Sequence, residues 1–373
     1  MFKRRETKEE ERRETLMDLK YETQSMPVTR DTVVEKAIDE EKEVKTKNGL
    51  TFKKFLRALK RNRRLQIFVA VLLVAIVLLA FLIAKGIGVL IYHSTDEYKL
   101  IKLGYEQEEA QTILANCSEE ELKIIFKHEY NGTIDNFLGE KYCLFNNLER
   151  YLEYQKAYPT EAYSDIVTKV NVNRDRDYYS DIKQTDTTLN ERMLVNKYYC
   201  LSSSYAPAIL ETIPLSYCYG ELKLDAAALD ALEAMCDAAR KEGHTIVADA
   251  AFRTYEWQSD IWVEYKDAYG IEYADEVAAR AGSSDHQTGL AVNLLEFENS
   301  SRFDQTASYQ WMMDHAYEYG FIQRYPEGKE DITGFTYEPG HFRFVGLQAA
   351  KEIHDLGITF DEYYALYLES PIN

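Results

Sequence analysis

Ser283-Ser284-Asp285-His286-Gln287-Thr288-Gly289-Leu290-Ala291-Val292-Asn293 is the stretch on which the reading of this chain turns. It opens as a polar Ser/Gly loop carrying His286 and then alternates, with Leu290 and Val292 on one face and Ala291 and Asn293 on the other, as in a half-buried strand. Small residues at 289 and 291 let the backbone pass close to whatever occupies that second face. Asn293 is thereby aimed back toward His286.

A second segment, Tyr337-Glu338-Pro339-Gly340-His341-Phe342-Arg343-Phe344, supplies what the first lacks. Pro339 interrupts Glu338 and His341, which predicts a turn feeding a strand from Phe342 to Val345. Taken singly, each histidine is more often structural. Together, neutral imidazoles and a carboxylate suit Zn²⁺ with one position left open, and a separate free carboxylate, Glu338, can take a proton from water.

Around these segments the chain mixes helices and strands. Leu224 to Glu242 places Leu229, Leu232, Met235, Cys236 and Ala239 on one helical face and ends at Gly243, a natural C-cap. Strands are expected at His244–Phe252 and Gly289–Phe297, and helices at Tyr255–Tyr269 and Thr306–Tyr319. The uneven spacing has no regular crossover rhythm, so the expected class is α+β with a mixed helix and antiparallel-sheet domain. Arg253 follows a strand and starts a helix, a position from which a guanidinium can clamp a carboxylate; a surface arginine paired with an acid is the plainer alternative.

These segments resemble the VanY-type D-alanyl-D-alanine carboxypeptidases, zinc metallopeptidases that trim peptidoglycan stem peptides. The family pattern is Ser-x-His, an Asp seven residues after the His, and Glu-Pro-Trp-His; Ser284, His286, Glu338, Pro339 and His341 match it in spacing. The likeness runs from about 190 to 357, through Leu194-Val195-Asn196-Lys197, Phe252-Arg253-Thr254-Tyr255 with Gln258, Gly320-Phe321-Ile322, Arg324-Tyr325-Pro326, the segment 328–334, and Phe342-Arg343. It implies His286 and His341 as zinc ligands, with position 293 as the third, Glu338 as the catalytic base, Arg253 on the substrate carboxylate or oxyanion, and Gln258 and Ser284 as substrate contacts. The chain departs from the pattern at Asn293 for the ligand Asp, at Gly340 for the Trp, and at Ala250 for a Ser. A neutral amide binds zinc more weakly than a carboxylate, and loss of the Trp is expected to remove an apolar wall and loosen the turn. Two readings therefore stand: a weakened carboxypeptidase, and an inactive module that binds stem peptides.

The formal charge of −19 is divided, with +7 over residues 1–92 and −26 over 93–373. The boundary coincides with Ile67–Ala84, 18 residues without a polar side chain, which as a helix spans about 27 Å, close to the thickness of a hydrocarbon core. Lys53, Lys54, Arg57, Lys60, Arg61, Arg63 and Arg64 precede it, so the positive-inside rule puts the N-terminus in the cytoplasm and the rest outside the cell. The basic cluster is assigned to the lipid membrane and not to nucleic acid. The expected organisation is a charged cytoplasmic tail (1–64), a single-pass transmembrane anchor (65–92), a small extracellular helical stalk and wrapping segment (93–190), and the peptidase-like domain (191–373). Within the stalk, Ser118-x-x-Glu121 reads as a capping box, Asn147–Ala157 as a helix and Asp165–Asn171 as an extended piece. The five cysteines, Cys117, Cys143, Cys200, Cys218 and Cys236, are expected mainly as buried thiols, with Cys200–Cys218 as an alternative pair.

Overall fold

The computed structural model describes residues 51–127, 129–297 and 300–369; the charged tail over 1–50 lies outside them. The described residues up to His93 and those from Ser94 form two compact units. The first contains helix α1 (Arg63–His93), 31 residues with no buried side chain. By length and composition it is the one helix among the described residues able to cross a membrane.

The second unit begins with six short helices, α2 (Asp96–Leu103), α3 (Gln107–Asn116), α4 (Glu119–Ile125), α5 (Ile134–Leu138), α6 (Leu148–Ala157) and α7 (Tyr163–Asn171). They enclose a core of their own that includes Leu100, Ile113, Ile125, Phe137, Tyr151 and Ile166. The Ser118 capping box forms, with its hydroxyl accepting from the Glu121 amide at 3.4 Å. The expected extended piece at 165–171 is instead the helix α7. Its Ile166, Val167 and Val170 are buried, an i, i+1, i+4 set that packs on the bundle and overrides the extended preference of β-branched residues. Lys169 Nζ reaches Asp331 at 3.6 Å and Arg174 Nε donates to the Asp331 carbonyl at 2.6 Å, so the end of the bundle touches the domain that follows.

That domain contains two small two-stranded sheets, β1 (Lys183–Gln184) with β2 (Tyr199–Cys200) and β3 (Leu210–Thr212) with β4 (Lys223–Asp225), and then helix α8 (Ala226–Lys241). The remaining elements are β5 (Ile246–Ala250), α9 (Tyr255–Tyr269), α10 (Ile271–Val277), β6 (Ala291–Glu296), α11 (Ala307–His315), β7 (Phe321–Gln323), α12 (Glu330–Thr333), β8 (His341–Phe344), α13 (Leu347–Leu356) and α14 (Phe360–Tyr363). Strands β5, β6, β8 and β7 make one sheet in that order, antiparallel throughout. The class is α+β.

One face of this sheet carries the main core. The predicted stripe of α8, Leu229, Leu232, Met235, Cys236 and Ala239, packs with Ile246, Ala248, Val292, Leu294, Phe321 and Phe342. Each buried Leu, Ile, Val, Met or Phe of this set contributes roughly 1.5–3 kcal/mol on burial. A one-residue slip of β6 would exchange Val292 and Leu294 for Ala291 and Asn293, so the core locks Asn293 onto the opposite face. All five cysteines are free thiols, Cys218 and Cys236 buried and the others half-buried.

The opposite face is organised by buried charge. The Asp285 carboxylate receives Arg324 Nε at 2.8 Å, the Arg343 guanidinium, and the Tyr325 hydroxyl at 3.2 Å. Arg324 Nη1 also pairs with Asp361 Oδ2 at 2.5 Å, and Asn196 donates to Asp361 at 2.8 Å. Arg343 Nη2 donates to the Met193 carbonyl at 2.9 Å. Asp285, Arg324 and Arg343 side chains are completely buried. Burial alone would raise the Asp285 carboxyl, but the charges of Arg324 and Arg343 outweigh it and hold it below the usual carboxylate range. Removing one partner of such a set strands the others without solvent, a cost of about 3–5 kcal/mol. Asp285→Ala should therefore lower the urea-unfolding free energy by about that amount, whereas Asp355→Ala, which breaks the exposed pair with Lys351, should leave it nearly unchanged; equal effects would show that the buried set is not what holds this face together.

Candidate metal and carboxylate site

Asn293 sits in the middle of the sheet, directly across from His341 on β8 and Ala250 on β5, where the register shifts between Ala248 and Ala250. His286 arrives from a single 3₁₀ turn, Asp285–Thr288, whose N-cap Ser284 accepts the His286 amide at 3.3 Å and whose C-cap Gly289 has φ 72°. A side chain at Gly289 would meet Pro207 at 2.8 Å as well as the strained backbone. The His286 Nδ1 is 2.7 Å from the Ala251 carbonyl, and Arg253 N–H donates to the His286 carbonyl at 3.2 Å. The ring is thus fixed through Nδ1 and its backbone through the carbonyl.

His341 starts β8 from a β-turn closed by its amide on the Glu338 carbonyl at 3.2 Å, with Pro339 in the second position. Its Nδ1 lies 3.1 Å from Glu338 Oε2, and Tyr325 packs edge-on against the imidazole at 4.8 Å between centroids. The His286 and His341 rings are themselves 4.8 Å apart. Among the described residues, four buried side-chain polar atoms lack a hydrogen-bond partner, and two of them are Asn293 Oδ1 and His341 Nε2. Unpartnered buried polar atoms are costly unless something else satisfies them. Burial, then the positive charge of Arg253, hold the His286 imidazole well below the ordinary histidine value, which leaves the ring neutral.

Two imidazoles and an amide oxygen in this arrangement are a donor set for a divalent metal of borderline softness. No three His, Cys, Asp or Glu side chains converge in this way among the described residues, because the third donor here is an amide.

All seven residues singled out from sequence, Arg253, Gln258, Ser284, His286, Asn293, Glu338 and His341, line one cavity of 790 Å³. Gln258 is buried, with its amide nitrogen on the Ala279 carbonyl at 2.9 Å and its oxygen accepting from Arg253 Nη1 at 3.2 Å. The Arg253 guanidinium is half-buried and faces the cavity, with Glu338 and Asp249 as the carboxylates that act on its charge. Burial pulls the Arg253 pKa down, with Glu338 and Asp249 opposing. A half-buried cation held by a neutral amide is open to an anionic ligand.

Sequence reasoning missed Asp285 and Tyr325. An Asp in a Ser/Gly loop carries no sign of burial, and the tyrosine's contact with His341 exists only after folding. The expectation about Gly340 is also corrected. Its carbonyl accepts the Leu294 amide at 2.8 Å, and a side chain there would meet the Leu294 carbonyl oxygen at 2.6 Å. The glycine tightens the β6–β8 junction and does not loosen it.

A model of the VanY D-alanyl-D-alanine carboxypeptidase family matches residues 221–347. The chain is 40% identical over 203 residues to the putative carboxypeptidase YodJ of Bacillus subtilis strain 168, covering 50% of this chain and 74% of that protein. It is 32% identical over 182 residues to the bifunctional D-Ala-D-Ala dipeptidase and carboxypeptidase VanXYC of Enterococcus gallinarum, covering 47% of this chain and 94% of that one. The chain belongs to the VanY family. Among solved structures, a vancomycin-resistance D,D-pentapeptidase VanY in complex with Zn(II) is 31% identical, covering 46% of this chain and 98% of that one, at a TM-score of 0.41. The VanY match contains every singled-out residue, and the bundle α2–α7 lies outside it.

Because backbone occupies the space beside residue 340, Gly340→Trp should cost about 1–3 kcal/mol in denaturant unfolding despite restoring the family residue; an unchanged midpoint would show that the junction has room.

Proposed function

We propose that the chain is a membrane-anchored zinc carboxypeptidase that removes a C-terminal D-amino acid from peptidoglycan stem peptides outside the cell. The observation that carries this reading is the facing pair Asn293 and His341, with two buried unpartnered atoms beside His286, in the same cavity as Arg253 and Glu338.

His286, Asn293 and His341 would hold the zinc. When bound, the metal supplies Lewis acidity that makes water nucleophilic near neutral pH. Arg253, fixed by Gln258, binds the terminal carboxylate of the peptide in parallel charged hydrogen bonds and so places the last peptide bond over the metal ligands. Glu338, only about a third exposed, accepts the proton of the attacking water and delivers it to the leaving amine. Its contact with His341 Nδ1 keeps it at the metal side of the cavity. Asn293 leaves the ligand set one negative charge short of the family pattern, which weakens zinc binding.

Helix α1 supports the anchor. Its length and composition suffice to cross a bilayer, and the basic residues 53–64 before it favour a cytoplasmic N-terminus. On this reading the domain from residue 94 onward faces the cell wall.

Full-length protein in detergent, supplied with zinc and a stem pentapeptide, should release D-alanine and stop when the metal is chelated. Glu338→Gln should lower kcat about 10²–10⁴-fold, and Arg253→Ala should lower kcat/KM about 10–100-fold, as expected for one charged hydrogen-bonded contact. Asn293→Asp should tighten zinc roughly tenfold or more, since even outer partners of metal ligands shift affinity about 10–100-fold. Stem-peptide binding without any release, with release appearing only in Asn293→Asp, would instead identify the wild-type chain as a binding module.

A further inference from the structure

Helix α9 leads outward from the site. Gln258, Ile261, Tyr265 and Tyr269 recur at helical spacing on one face, and all four line the cavity. The inner end of this face is Gln258, in contact with Arg253. At its outer end α9 turns at Gly270, φ 92°, into α10, which brings Tyr273 back against the last turn. The rings of Tyr269 and Tyr273 are 5.0 Å apart, and each lies 6.4 Å from Tyr265. All three are exposed, by 38% for Tyr265, 66% for Tyr269 and 44% for Tyr273.

The length of the face matches the proposed substrate. From residue 258 to 269 the helix rises about 16 Å at 1.5 Å per residue, and five residues of extended peptide span about 16 Å at roughly 3.3 Å each. A stem peptide with its terminal carboxylate on Arg253, laid along α9, therefore brings its N-terminus to Tyr269 and Tyr273. In peptidoglycan that N-terminus is joined to a sugar. An exposed tyrosine cluster suits a sugar, because the ring faces pack on C–H groups while the phenol hydroxyls meet sugar hydroxyls. The surroundings disfavour an anionic lipid surface, since α9 carries four carboxylates and one lysine and α10 three carboxylates.

We propose that Tyr265, Tyr269 and Tyr273 form a stacking surface for a sugar of the substrate, and that the site takes stem peptides still linked to glycan in preference to free ones. The proposal rests on the stem-peptide reading above.

The test compares D-alanine release by the full-length protein from a disaccharide-linked pentapeptide and from the same pentapeptide without sugar. Wild type should favour the linked form about tenfold in kcat/KM, the scale of one or two aromatic contacts. In Tyr269→Ala and Tyr273→Ala that ratio should fall toward one. A wild-type ratio of one, or a ratio that both variants leave unchanged, overturns the proposal. Calorimetric titration with the same two ligands separates this outcome from failure of catalysis. A binding preference for the linked form that Tyr273→Ala abolishes sustains the sugar surface in an enzyme that does not turn over. Absence of binding by either ligand overturns both this proposal and the functional reading beneath it.

Discussion

The Asp285 carboxylate, set between Arg324 and Arg343 and capped by the Tyr325 hydroxyl, is the constraint on which the rest of the domain depends. It ties the turn that carries His286 to the ends of β7 and β8 and, through Arg324 and Asp361, to α14. In a buried place each of these charges alone would be intolerable, so the set forms together or not at all. Its position one residue before His286 converts that all-or-none character into the placement of the imidazole in the cavity. Tyr325 extends the same constraint to the second histidine by packing on the His341 ring.

The sheet does the complementary part. Antiparallel pairing places Asn293 opposite His341 without any loop having to find the position, and the apolar face of β6 forbids the alternative register. Strands carry Asn293 and His341, while His286 and Glu338 come from short hydrogen-bonded turns. Such mixed construction fixes the two histidines and Asn293 and leaves Glu338 half-exposed, in the reach of a ligand entering the cavity.

Much of this was legible in the chain. The alternation from Leu290 to Asn293 placed Asn293 on the face of the site, the apolar stripe of 224–242 located the core helix, and Pro339 marked the turn between Glu338 and His341. What was illegible depends on distant partners. Arg324 and Arg343 look like surface residues until Asp285 and Asp361 appear beside them. Ile166, Val167 and Val170 favour a strand in isolation and become helical because the bundle core rewards one face. Gly340 looked like a lost wall, and only the approach of the Leu294 carbonyl shows that a side chain there would force the junction to shift.

The proposed chemistry requires that the His286, Asn293 and His341 set hold zinc. Zinc K-edge absorption spectroscopy on the purified full-length protein, with metal content from the same sample, tests this most directly. One equivalent of zinc surrounded by two imidazole nitrogens and oxygen is the predicted result. Protein that stays zinc-free in micromolar zinc, or a sulfur shell from one of the five cysteines, would contradict it.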